Sequence, residues 1–310
     1  MLSRKKTIVA IAIPHIALAV LLALVLLAPK SRPGVRPCLP FVAGILIMEA
    51  LYLWALVRKL RRGGPVTGPC DLILFLWSLL SLWELYTSVL NLGHPVLVPA
   101  PENVFDTFRE QWRLLALNVA YSLQLLVVGL VIGLTLAVIL GMFTGWYPRL
   151  RAFAYPIANV MAPIPPVVFS PYLVALMPTF RSASALVIVL GVFWPTYLST
   201  INRVTGMEPQ LLDLAKTFQP DNWTMIWQIL FPYLLPATVS GLRVTVTTSL
   251  LMLNFAELMG ATHGMGYYVQ NSVTYANYAH ALAGIGVIGV VVTLLSWGVG
   301  RLQRVLIPWR

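Results

Sequence analysis

The chain has 310 residues, of which 59% are hydrophobic and only 10% charged, with a net charge of +11. A soluble domain carries about 25% charged residues, so the composition excludes an ordinary water-soluble protein and places the chain in a bilayer. The surplus of Lys and Arg would suit nucleic acid in a soluble protein; here basic residues collecting in cytoplasmic loops account for it, and nucleic acid is not an expected partner.

Stretches able to cross hydrocarbon, which takes about 20 apolar residues, lie near 7–28, 39–57, 71–90, 114–145, 152–177, 183–202, 232–260 and 281–300. The expected fold is all-α integral membrane with about eight transmembrane helices. The N-terminus is Lys-rich and then apolar, but it lacks a small-residue cleavage site and its apolar run exceeds that of a signal peptide, so it reads as a retained helix. "PENVFDTF" before the fourth span reads as a short surface helix, with Pro101 in its first turn. The fourth span is too long for a perpendicular crossing, at 1.5 Å per residue about 48 Å, and must tilt or run on into the interface. Along it Gly129, Gly133, Ala137, Gly141 and Gly145 recur every four residues. Such a stripe lets helices approach closely, inside the protein or against a second copy. The fifth span contains Pro156, Pro163, Pro165, Pro166 and Pro171. It belongs inside a bundle, where protein or water can satisfy the carbonyls that proline frees.

Basic residues set the orientation. Arg4, Lys5, Lys6, the cluster Arg58 to Arg62, Arg149, Arg151, Arg203, Lys216, Arg301, Arg304 and Arg310 fall on one side, which places both termini in the cytoplasm. Lys30, Arg32 and Arg36 crowd the first outer loop against that rule. Cys38 and Cys70 form neither a metal spacing nor a disulfide framework.

The loop between the sixth and seventh spans holds "EPQLLDLAKTFQ", residues 208–219. Pro209 opens a helix. Leu211, Leu214, Ala215 and Phe218 share one face at i, i+3, i+4 and i+7, while Asp213 and Lys216 can pair at i, i+3. About three turns long, the helix cannot span. Its apolar face needs either the headgroup layer or a groove on a partner.

These residues, with "ILFP" (229–232), resemble the cytoplasmic loop of ABC importer permeases, whose pattern is Glu-Ala-Ala, three residues, Gly, then Ile-x-Leu-Pro. Asp213, Leu214 and Ala215 take the Glu-Ala-Ala places, with Leu214 departing from Ala and Gln219 standing where the family has Gly. "VPAPENVFDTF", "IPPVVFSPYLVAL", "FWPTYLSTINRVTGMEPQLLDLA" and "AELMGATHGMGYYVQ" are similar to segments of the nitrate-, sulfonate- and taurine-type permeases. "MPTFR" (177–181) departs from that group's glycine-containing stretch. The resemblance covers roughly residues 95–305.

It implies a six-helix permease core in 66–310 with two extra N-terminal helices in 1–65, in a bacterial inner membrane. It also implies a coupling helix near 208–219 whose Leu211, Asp213, Leu214, Ala215, Lys216, Phe218 and Gln219 dock on a cytoplasmic ATPase. The partners implied are two ATPase copies, a substrate-binding protein, a second permease copy in a homodimer, and lipid. The solute implied is a small organic or inorganic anion such as a sulfonate or nitrate. The chain has no G-x-x-x-x-G-K-[ST] loop; ATP and Mg are expected on the partner, with no cofactor here.

Within the seventh span Glu257 is a carboxylate that needs a partner or a wet path. Two roles are open to it: capping a neighbouring helix, or lining the translocation path or its outer gate with Asn254. Arg243 is about 21 Å away along one straight helix, too far to pair. His263, Tyr267, Tyr268, Gln270 and Asn271, in a polar, aromatic segment, are candidates for contact with solute or binding protein, or for an ordinary interfacial belt. The four histidines are scattered, so no metal site is expected. A secondary transporter or a lipid-modifying membrane enzyme are the alternatives. The first should show inverted repeats and more intramembrane charge, the second a reactive cluster.

Overall fold

The computed structural model describes residues 4–62 and 64–306, and among these every regular element is helical. In chain order the helices are α1 (Arg4–Leu26), α2 (Leu39–Arg61), α3 (Thr67–Val89), α4 (Pro101–Glu110), α5 (Trp112–Trp146), α6 (Pro148–Met161), α7 (Ser170–Leu176), α8 (Phe180–Thr205), α9 (Pro209–Thr217), α10 (Asn222–Leu258), α11 (Met265–Thr274) and α12 (Tyr278–Leu306).

Six of these, α2, α3, α5, α8, α10 and α12, are long and apolar enough to cross a membrane. The proline-rich span is a broken one: α6 and the segment Pro166–Leu176 meet at 85° and count as a seventh span only if taken together. Pro163, Pro165 and Pro166 fall at the break, where three residues without an N–H cannot continue the helical ladder. Within α1 the stretch Ala10–Leu26 is a shorter apolar helix. The eight expected stretches thus all fall on helices, the fifth on two segments either side of a break, and not all are full crossings.

The chain forms two compact units. One comprises residues up to Leu115 with Asn271–Ile285; the other comprises Ala116–Gln270 with the residues from Gly286 on.

In the first unit α1 packs on α3, and α2 on α4. Leu21, Phe41, Ile45 and Trp77 are fully buried at its centre. Phe41 meets Phe105 of α4 with ring centroids 4.9 Å apart. Helix α4 is not the surface helix expected, because Pro101, Glu102, Val104, Asp106 and Thr107 are all buried. The reason lies in the basic loop between α1 and α2. Lys30 pairs with Glu84, and with Glu102 at 2.8 Å, and the Ser88 hydroxyl donates to both carboxylates. Arg32 is 5% exposed and donates to Asn91 Oδ1 and to the carbonyls of Gly93 and Val98. Arg36 pairs with Asp106 and Glu110. Burial alone would lower the Lys30 pKa, but the bonds to Glu102 and Glu84 outweigh it and leave the ammonium's pKa raised. The three cations that break the sidedness rule are held by acids and carbonyls of α3, α4 and the intervening loop.

In the second unit the glycine stripe is an internal seam between α5 and α8. A Cβ on Gly129 would meet Ile188 at 2.6 Å, on Gly141 Thr200 at 2.7 Å, and on Gly145 Val204 at 2.6 Å. Ala137 is fully buried in the same row. Helix α8 also packs on α6, α7 and α10. One turn into α10 lies a π-helical stretch, Met225–Leu230. Pro232, just beyond, has no N–H for the carbonyl four residues back, and a widened turn is one way to absorb that loss.

Candidate functional site

The helix expected near 208–219 is α9, with Glu208 at its N-cap and Pro209 in its first turn. Its apolar residues divide. Ala215 is buried, and Leu212 packs into the cluster of Met207, Met225, Ile226 and Leu230. Leu211 is 41% exposed, Leu214 59% and Phe218 79%. Ala215 therefore anchors the helix to its own chain and is not part of an outward face, which corrects the four-residue face expected. Asp213 and Lys216 lie 3.9 Å apart on the exposed side. Gln219 takes φ = 49°, the left-handed conformation that the family's glycine adopts freely, and its N–H donates to the Lys216 carbonyl at 2.9 Å. The terminating turn survives without glycine, at a steric cost of about 1–2 kcal/mol.

Glu257 is 1% exposed, and both its oxygens are engaged: one accepts from the Ser122 hydroxyl at 2.6 Å, the other from the Gly266 N–H at 2.8 Å. The surrounding backbone is tied to the same place. Gly264 N–H donates to Asn118 Oδ1 at 2.8 Å and Met265 N–H to Ser122 Oγ at 2.9 Å. Gly264 has φ = 127°, and the Glu257 carboxyl occupies the space a Cβ there would need; a Cβ on Gly266 would meet the Asn254 carbonyl at 2.5 Å. The "GATHGMG" glycines are required by this close approach. Glu257 sits at the N-terminus of α11, where free N–H groups and the helix dipole favour a negative group. Asn254 Oδ1 is buried without a hydrogen-bond partner. Arg243 is remote from Glu257 in contact as well as in sequence and reaches the Ser296 carbonyl at 3.3 Å.

Of the outer-segment candidates, His263 and Gln270 are exposed and Tyr267 and Asn271 half-buried. His263 lies against Tyr121 at 5.7 Å, and the Arg181 guanidinium lies over the same ring at 5.5 Å. Tyr268 is buried, and burial pushes its phenol up to about 12. It is not available to a molecule arriving from solution, which corrects its place among the contact residues. Among the described residues no group of three or more His, Cys, Asp or Glu is placed to hold a metal.

Sequence reasoning missed Asn118 and Ser122, whose spacing of four in an otherwise apolar span was the available signal. It also missed a cleft. A cavity of about 330 Å³ lies between the α6–α7 break, α8 and α10, bordered by Pro163, Gly191, Pro195, Thr245 and Thr248. A second, of about 850 Å³, and a third, of about 220 Å³, share Pro195, Ser199 and Arg203 with one another.

Residues 129–310 match the family model described as binding-protein-dependent transport system inner membrane component. The taurine transport system permease protein TauC of Escherichia coli is 27% identical over 277 residues, covering 86% of this chain and 98% of that protein. The nitrate import permease protein NrtB of Synechococcus elongatus is 22% identical over 278 residues, covering 88% and 92%. Among solved structures, a chain of the MetNI methionine ABC transporter superposes with a TM-score of 0.51 at 19% identity, covering 64% of this chain and 97% of that one.

Proposed function

Since the chain belongs to the binding-protein-dependent transport system inner membrane component family, and so is the membrane permease subunit of an ABC importer and not an enzyme, we propose that α9 is the coupling element through which a separate ATPase moves it. An ATPase and a substrate-binding protein are the partners such a subunit works with. The supporting observation is the trio Leu211, Leu214 and Phe218, exposed on a helix that its own chain anchors through Leu212 and Ala215. Burial of each in a partner groove is worth roughly 1.5–3 kcal/mol. In this reading Asp213, Lys216 and Gln219 border the contact, ATP and Mg stay on the partner, and two permease copies meet two ATPases. Both termini then lie in the cytoplasm of a bacterial cell, with residues 1–65 as an accessory hairpin on a permease domain of 66–310.

The solute we propose is a small anion of the sulfonate or nitrate kind, by analogy with the relatives' names. Glu257 we read as a brace that holds α11 through Gly266 while Ser122 holds Glu257, rather than as a gate. His263, Tyr267, Gln270 and Asn271 remain the residues offered to a binding protein.

The experiment is copurification with the ATPase. Leu214→Asp or Phe218→Ala should weaken the complex roughly 10–100-fold, as the loss of 1.5–3 kcal/mol implies, and abolish coupled ATP hydrolysis. Retention of both in a correctly inserted variant would sink the reading.

A further inference from the structure

The three cavities of the second unit join into one cleft. Pro195 borders all of them, Ala162 and Pro163 border the two larger ones, and Thr196, Val244 and Thr245 connect the first to the third. Along α8 the cleft extends from Gly191 to Arg203, about 18 Å at the helical rise, roughly half of a hydrocarbon core about 30 Å thick. At its inner end Ile188, Val192, Leu250 and Leu253 are buried in one apolar cluster with Leu125 and Leu126. The cleft is closed there and opens toward the end of α8 that leads to α9.

Two features mark it as wet. Prolines line both walls: Pro163, Pro165 and Pro166 from the break, and Pro195 from α8. Pro195 offers no N–H to the Gly191 carbonyl, and within a membrane such carbonyls are tolerated where water or protein reaches them. Hydroxyls line it as well. Thr245 and Thr248 bond back to the carbonyls of Gly241 and Val244, at 3.3 and 3.0 Å, and keep an oxygen lone pair for the cleft. At the mouth Arg203 borders two of the cavities, and among the described residues no carboxylate pairs with it.

We propose that this cleft is the cytoplasm-facing half of the solute path and that Arg203 selects at its mouth for solutes bearing a negative group. A fixed cation at a low-dielectric opening raises the local concentration of anions, while hydroxyls and proline-freed carbonyls replace the water that the rest of the solute loses. The proposal rests on the permease reading, since without transport the cleft needs no selectivity.

The test uses the full chain assembled with its ATPase in inside-out vesicles. Cys38 and Cys70 are replaced by Ser, and single cysteines are placed at Thr248 or Ser199. The probes are two thiol reagents of similar size: 2-sulfonatoethyl methanethiosulfonate, negative, and 2-(trimethylammonio)ethyl methanethiosulfonate, positive. Both positions should be labelled, and the negative-to-positive rate ratio at Thr248→Cys should fall about tenfold when Arg203→Gln is added, with Arg203→Lys restoring it. A Thr248→Cys that neither reagent reaches, while an exposed control at Arg62→Cys is labelled, would overturn the path. An unchanged ratio in Arg203→Gln would overturn the selective role. Failure of the parent reading looks different: the purified assembly would then contain no ATPase.

Discussion

At the scale of single residues, three positions carry consequences that can be measured. Gln219 is held left-handed where a β-branched side chain is least tolerated. Gln219→Val should cost about 1–2 kcal/mol more and loosen the end of α9, whereas Gln219→Gly should leave thermal stability in detergent equal or higher. Glu257 accepts from Ser122 and Gly266. Glu257→Gln places an amide donor where one acceptor is needed and should lower stability by about 1–3 kcal/mol. Solute uptake per correctly folded molecule should be unchanged, and a selective loss of uptake would restore a gating role. Lys30 stands between two fully buried carboxylates. Lys30→Met should cost about 3–5 kcal/mol because it strands buried charge, and a melt in detergent reads it directly. Because its pKa is raised, the stabilisation Lys30 provides is complete at neutral pH and is lost only as pH rises past the ordinary lysine range near ~10.4.

At the scale of elements, much was legible in sequence. Hydropathy runs placed the long helices, since each must satisfy its backbone internally. The proline cluster at 163–166 announced a span that needs protein or water around it, but not that the span breaks there at 85°, which depends on what packs around it. The four-residue glycine rhythm announced a seam, but not whether its partner was this chain or another copy. The partner is α8, and the fit leaves no room for larger side chains. Gly141→Val should therefore drive α5 from Thr200 at a cost of about 1–3 kcal/mol and reduce the monodisperse fraction on size exclusion. Helix α9 was legible as amphipathic, yet the inward turn of Ala215 was not, because helical periodicity gives a face and not the neighbour that claims it. Arg203 read only as one more inward-side cation; its place at a cleft mouth depends on Pro195 and the hydroxyls of α10 converging in space.

At the scale of the whole molecule, α1 and α2 are fastened to α3 and α4 by charge as well as by apolar packing. Lys30, Arg32 and Arg36 come from the α1–α2 loop, while Glu84, Glu102, Asp106 and Glu110 come from α3 and α4. A chain shortened to begin at Val66 removes all three cations and leaves Glu84 and Glu102 buried alone. Its yield of assembled protein should collapse, and adding Glu84→Gln with Glu102→Gln should recover part of it, as fluorescence-detected chromatography would show. That α1 and α2 are apolar helices was plain from hydropathy. That the loop between them is bound through carboxylates was not, because Lys30 and Glu102 are brought together only by the fold.

The order of these charges along the chain sets a timetable for biogenesis. Arg36 leaves the ribosome well before Asp106 and Glu110, so in the orientation proposed above the α1–α2 loop would be delivered across the bilayer while still unpaired. In that orientation the early topology of α1 and α2 has to persist until α4 emerges, which makes the stretch of synthesis between them the window in which an inverted insertion would form.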